Sequence, residues 1–190
     1  MDTIYRAIGD VEGHSQRPFV DSSPSNGVVE TDPYVKQWGA ASTANAGDVH
    51  FYDYSSDCED YSMYPEAKFI SEFGFQAHPS YLAYTPVTED NDRHMDSEFV
   101  GYRQRHQNGN EQMEAQMSRH FALPAVDCGD DTEPGGSFDM YLYVSQIQQG
   151  RCYETAFNRW RSLRSSPTAQ TMGILYWQLN DIWEVTTNSY

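Results

Sequence analysis

The segment "SFDMYLYVSQIQQGRCYETAFNRWRSL", residues 137–163, repeats apolar side chains at helical spacing and separates two apolar runs with strand character. Met140, Tyr143, Val144 and Ile147 follow the i, i+3, i+4, i+7 pattern, and Cys152, Ala156, Trp160 and Leu163 extend it. Ser137, after Gly135 and Gly136, is the predicted N-cap. The flanking runs are "KFISEFG" (68–74) and "TMGILYWQLND" (171–181). The second is apolar at nearly every position, as a strand buried on both faces would be. Strands separated by helices predict a parallel α/β arrangement.

Two more strands are expected upstream, each bounded by turn residues. "RPFVDSS" runs into Pro24, Asn26 and Gly27, and "GDVHFYDY" follows Gly47 and ends in the polar cluster 55–60. Period-2 alternation puts His50, Tyr52 and Tyr54 on one face, with Tyr54 closing the strand. A shorter helical region, Ser97 to His106, breaks at Asn108-Gly109, after which Glu111 to His120 continues. Segments 85–96 and 125–136 are polar, acidic and Gly/Pro-bearing, and read as exposed loops. No internal repeat, low-complexity tract or linker divides the 190 residues, enough for one domain with a core.

Charge narrows the partners. Acidic side chains number 28 against 12 basic ones, a formal net charge of -16, which repels nucleic acid and anionic membranes. No apolar run approaches the ~20 residues of a bilayer-spanning helix. The N-terminal "MDTIYRAIGDVEGHSQ" lacks the apolar core of a signal peptide, and no N-x-S/T sequon occurs. The three cysteines, Cys58, Cys128 and Cys152, are scattered and odd in number, which argues against a closed disulfide framework and leaves the compartment open.

One carboxylate stands out. In "KFISEFG" the strand runs into Glu72 and then Gly74, whose missing Cβ permits a turn. A carboxylate at the mouth of a buried strand costs free energy unless it is paired, hydrogen-bonded or used. A solvated or salt-bridged structural Glu is the plainer reading of that motif alone.

Six runs taken together resemble the β-mannosidases, a branch of the family 2 glycoside hydrolases. They are "RPFVDSSPSNG", "GDVHFYDYSSDCED", "YPEAKFISEFGFQ", "YRQRHQNGNEQM", "YLYVSQIQQGRCYETAFNRWRS" and "TMGILYWQLNDIW". The resemblance implies a retaining exo-glycosidase that removes terminal β-linked mannose without metal or cofactor, acting on β-mannoside oligosaccharides or N-glycan core remnants. It implies a partial (β/α)8 barrel over residues 1–190, strands five to eight with their helices, whose sites lie at the C-terminal strand ends. Glu72 would be the nucleophile. Tyr54 would hydrogen-bond it, Trp177 would floor the sugar site and Trp38 would wall it, while His50 and Tyr52 would lie lower in the barrel in a core role. The animal members imply a lysosomal location.

Retaining chemistry needs a second carboxyl group as acid/base. In the family this Glu follows an Asn at the end of strand four, and no such segment precedes Arg17. Asn110-Glu111 has the dipeptide but lies downstream of Glu72, where a helix-start Glu is the better reading. At about 30 residues per strand–helix unit, the acid/base is expected roughly 90 residues before Glu72, upstream of residue 1. The N-terminal β-sandwich domains are missing as well, so the expectation is a partial sequence that is inactive alone. Its unpaired barrel edges would drive self-association. The alternative is a non-catalytic mannoside-binding or dominant-negative partner fragment. Arg103, Arg105, His106 and His120 lack metal-site spacing, and salt bridges to nearby carboxylates are expected there.

Overall fold

Residues 2–12, 19–39, 47–124, 134–181 and 183 are described by a computed structural model of the chain. In order they form α1 (Asp2–Glu12), β1 (Val28–Thr31), β2 (Tyr34–Lys36), β3 (Asp48–Phe51), β4 (Phe69–Phe73), α2 (Tyr81–Tyr84), α3 (Glu98–Arg103), α4 (Gly109–His120), α5 (Ser137–Ser162) and β5 (Gly173–Ile174). The class is mixed α/β with small sheets. β1 and β2 pair antiparallel across Asp32-Pro33, and β3-β4-β5 form a second sheet in that order. β4 and β5 are parallel, with α5 between them in sequence, as the strand–helix–strand pattern requires.

The chain divides into two compact units. The first comprises Met1–Phe51, Pro65–Glu72 and Trp160–Leu175; the second comprises Tyr52–Tyr64, Phe73–Arg159 and Tyr176–Tyr190.

In the first unit, β5 docks on β4 through Met172 N–H to the Lys68 carbonyl (2.8 Å) and Leu175 N–H to that of Ile70 (2.9 Å). The fit is close: a Cβ on Gly173 would stand 2.1 Å from the Phe69 ring. Gly47 is equally constrained, since a Cβ there would meet the Ser25 carbonyl oxygen at 1.5 Å. Trp160 is fully buried, its indole N–H donating to the Pro65 carbonyl at 3.0 Å and its ring edge-on to Phe51. Tyr5, Phe19 and Tyr34 pack as three rings between α1 and the hairpin, and Asp2 accepts the Tyr34 N–H. Neither α1 nor this hairpin is among the elements expected from the sequence.

In the second unit, the buried face of α5 packs against α2 and α3, with Tyr81, Tyr84, Val100, Phe138 and Leu142 in one cluster and Met113, Met117 and Tyr141 of α4 and α5 in another. Ser97 caps α3 by accepting the Val100 N–H, and Asn108 takes the left-handed conformation (φ 58°) before α4. Glutamine amides then fasten the loops. Gln116 donates to the carbonyls of Tyr54 and Ser56, Gln149 to that of Phe75 and Gln146 to that of His78. Each such bond satisfies a carbonyl that would otherwise cost free energy away from water.

Several expectations change. "RPFVDSS" forms no strand in its described part, and Arg17 and Pro18 lie outside the described residues. "TMGILYWQLND" contributes only Gly173–Ile174, and Met172, Leu175 and Leu179 are exposed rather than sandwiched. Among the described residues, β5 is the last strand in the order of its sheet. Gly74 does not take a positive φ, and no turn there depends on it. The first half of α5 buries Phe138, Tyr141, Leu142, Ser145 and Gln148 and exposes Met140, Tyr143 and Ile147. The inward stripe includes two polar residues, Ser145 and Gln148, which breaks the apolar periodicity. Ser145 accepts the His78 N–H and donates to the Leu142 carbonyl. Cys152, Ala156, Trp160 and Leu163 are all buried as expected. Cys58 and Cys152 form a disulfide, a pairing that their spacing did not reveal, and Cys128 lies outside the described residues. Segment 85–96 carries a 3-10 turn at Asp90–Asp92, whereas residues 125–133 of the second predicted loop lie outside the described residues.

Candidate active site

Glu72 is the penultimate residue of β4, one position before the strand ends. Its side chain is 31% exposed, so it reaches solvent without leaving the sheet. The adjacent strand β3 sets His50 beside it, with Nδ1 at 3.5 Å from Glu72 Oε2. The other ring nitrogen, Nε2, lies 2.9 Å from Ser23 Oγ. Ser23 and Ser71 both donate to Asp48 Oδ2, and the Ser25 N–H donates to Oδ1 at 2.6 Å. Burial raises the Asp48 carboxyl, but these hydrogen bonds outweigh it and hold the group below the usual carboxylate range. Asp48 is therefore an ionised anchor. His50, expected in a core role lower in the barrel, lies directly against Glu72 with its side chain 20% exposed. The signal was available: β3 and β4 are consecutive strands, and consecutive strands pair often.

The other predicted residues divide between the units. Trp38 belongs with Glu72 in the first unit. Its ring is 81% exposed, and the Lys36 ammonium sits 4.8 Å from its centroid. It borders a hollow with Asp21, Asn26 and Lys36. Tyr54 and Trp177 belong to the second unit. β3 ends at Phe51, so Tyr54 does not close the strand but sits in a turn beyond it. Asp53 builds that turn by accepting from the N–H and hydroxyl groups of Ser55 and Ser56. Burial opposes ionisation of Asp53, yet these four bonds prevail and lower its carboxyl to about 2. The Tyr54 ring meets His106 edge-on at 5.1 Å. Trp177 donates its N–H to the Phe73 carbonyl at 2.8 Å, accepts from the Tyr153 hydroxyl and leaves 43% of its surface exposed.

Glu111 is exposed in the first turn of α4, the position a helix-start carboxylate favours. His120 pairs with Asp57 at 2.9 Å, whereas Arg103 stacks on Phe99 and Arg105 on Tyr102. Among the described residues no His, Cys, Asp and Glu cluster is arranged to hold a metal, and no helix is long and apolar enough to cross a membrane.

This geometry can be set beside known proteins. The chain is 39% identical to the β-mannosidase of Rattus norvegicus over 178 residues, covering 88% of this chain and 19% of that protein. It is 39% identical to the Bos taurus enzyme over 184 residues, covering 92% of this chain and 20% of the relative. The β-D-mannosidase structure from Dictyoglomus thermophilum superimposes with a TM-score of 0.72 at 28% identity, covering 98% of this chain and 20% of that one. No protein-family model matches. The chain is a glycoside hydrolase-type enzyme sequence by homology. Within that class it belongs to the β-mannosidase family, and it spans about a fifth of the length of the relatives it matches.

Proposed function

We propose that the chain carries the nucleophile of a retaining exo-β-mannosidase, with Glu72 in that role. The observation that carries the reading is a partly exposed carboxylate at the end of a parallel strand, with an anchored imidazole beside it. Residues 1–190 are read as one catalytic-domain segment, strands five to eight of a (β/α)8 barrel. Its substrate is a terminal, non-reducing β-mannoside of an oligosaccharide or N-glycan core remnant. By resemblance, Trp38 of the same unit is a sugar-contacting residue, and Tyr54 and Trp177 carry substrate-binding roles.

A Glu72 oxygen attacks the anomeric carbon, the aglycone oxygen leaves with the bonding electrons, and a mannosyl ester remains. The acid/base should stand about 5 to 5.5 Å from the nucleophile, and none of the 190 residues is assigned to it. Such a group contributes about 10²- to 10⁴-fold, so the chain alone turns over poorly. The Cys58–Cys152 disulfide supports passage through an oxidising compartment, consistent with a lysosomal destination. Exposed Met172, Leu175 and Leu179 support self-association of the isolated chain.

A 2,4-dinitrophenyl β-mannoside tests the reading, because its leaving group needs no protonation. The chain should release a burst of dinitrophenolate approaching one equivalent and then stall, and Glu72→Gln should abolish the burst. A Glu72→Gln burst equal to that of the parent chain contradicts the assignment. The exposure of Trp177 also favours a second reading, a mannoside-binding or dominant-negative partner fragment without turnover. Its mark is saturable tryptophan quenching by mannose that survives Glu72→Gln, with no burst from the parent chain.

A further inference from the structure

The chain Asp48–Ser23–His50–Glu72 belongs entirely to the first unit and joins a fixed carboxylate to the proposed nucleophile. The Ser23 hydroxyl reaches Asp48 Oδ2, Ser71 Oγ and His50 Nε2. Its Oγ lies 2.9 Å from Nε2, with the donor set by the imidazole tautomer. Ser71 and the Ser25 N–H complete the shell of Asp48, so this end of the chain is held from three sides. The imidazole is thereby pinned at Nε2, and Nδ1 is presented to Glu72 Oε2 at 3.5 Å.

We propose that His50 is a positioning residue for the Glu72 carboxylate, fixing which oxygen faces the anomeric carbon, and that Ser23 and Asp48 set the angle of its ring. The inference rests on Glu72 being the nucleophile. By occupying Oε2, His50 restricts rotation of the carboxylate. Glu72 also has further interactions of its own, so His50 is one constraint among several.

Two amides separate this role from simple packing. Asparagine can place its NH₂ near the position of Nδ1, whereas glutamine reaches toward that of Nε2. His50→Asn should therefore keep the burst rate within a few fold of the parent, while His50→Gln and His50→Leu should lower it by about 10²-fold, the cost of an ångström-scale misplacement. Mannoside affinity, measured by tryptophan quenching, should be unchanged in all three. The readout independent of activity is ¹⁵N NMR of the His50 ring: Glu72→Gln should move Nδ1 and leave Nε2 in place. If Gln rescues as well as Asn does, or if Nδ1 does not respond to Glu72→Gln, the positioning role is overturned while the nucleophile stands. Absence of a burst from the unsubstituted chain overturns the nucleophile reading, and this inference with it.

Discussion

Cys58 and Cys152 are 94 residues apart in sequence and joined by a disulfide, with the Gln148 amide 3.0 and 3.2 Å from their two sulfurs. The bond ties the loop after Tyr54 to the middle of α5, within one unit. Tyr64, whose hydroxyl donates to the Cys58 carbonyl, is buried beside it. Covalent and polar constraints thus converge on the segment that also carries Tyr54.

Closing so long a loop reduces the entropy of the unfolded chain by about 4 to 5 kcal/mol in the chain-entropy model. Cys58→Ser/Cys152→Ser, or reduction of the parent chain, should lower the unfolding free energy by an amount of that order, read from the denaturant midpoint and slope. Equal midpoints with and without reductant would show that the bridge does not constrain the fold.

His78 gives stability a pH dependence of known sign. The ring is fully buried, Nδ1 is 3.2 Å from the Tyr84 hydroxyl, and burial lowers its pKa to about 4 from 6.5. Between those values the unfolded chain binds a proton that the folded chain excludes, so stability rises with pH through this window. The shift corresponds to about 3 kcal/mol at most, lost progressively as pH falls from above 6.5 toward 4. Urea melts at pH 7 and pH 5 check this. His78→Phe should flatten the dependence, and an unaltered slope would assign it to other groups.

Trp177 and Trp38 should differ as sugar contacts. The Lys36 ammonium occupies one side of Trp38, whereas no cation–π partner is seen on Trp177 among the described residues. With stacking worth about 0.5 to 1.5 kcal/mol, Trp177→Leu should weaken mannoside binding about 3- to 10-fold and Trp38→Leu by less. Isothermal titration would decide it, and a larger loss at Trp38 would reverse their roles.

What could be read in advance was whatever rests on short-range chemistry. The helix that starts after Ser97, the turn at Asn108 into α4 and the inward faces of Cys152, Ala156 and Trp160 are each fixed by local pattern. The failures have a common cause in partners distant in sequence. Ser145 and Gln148 enter the buried stripe of α5 because His78, 67 residues before Ser145, and Cys58, 90 residues before Gln148, supply their bonds. "TMGILYWQLND" has the composition of a central strand but the position of an outer one, which composition does not encode. At the candidate site, the family resemblance, rather than the motif alone, singles out Glu72. The contact with His50 required the pairing of β3 with β4, and the grip of Ser23 on His50 comes from the described part of "RPFVDSS", which forms no strand despite its strand pattern.

The central claim is that Glu72 makes the covalent bond. Incubation with 2-deoxy-2-fluoro-β-mannosyl fluoride should trap the ester, since fluoride leaves without acid assistance and the 2-fluoro group slows hydrolysis. Peptic digestion and tandem mass spectrometry then locate the label. The account predicts a single 2-fluoromannosyl adduct on Glu72, within "KFISEFG", and none in Glu72→Gln. A label on another carboxylate with Glu72 unmodified would contradict it.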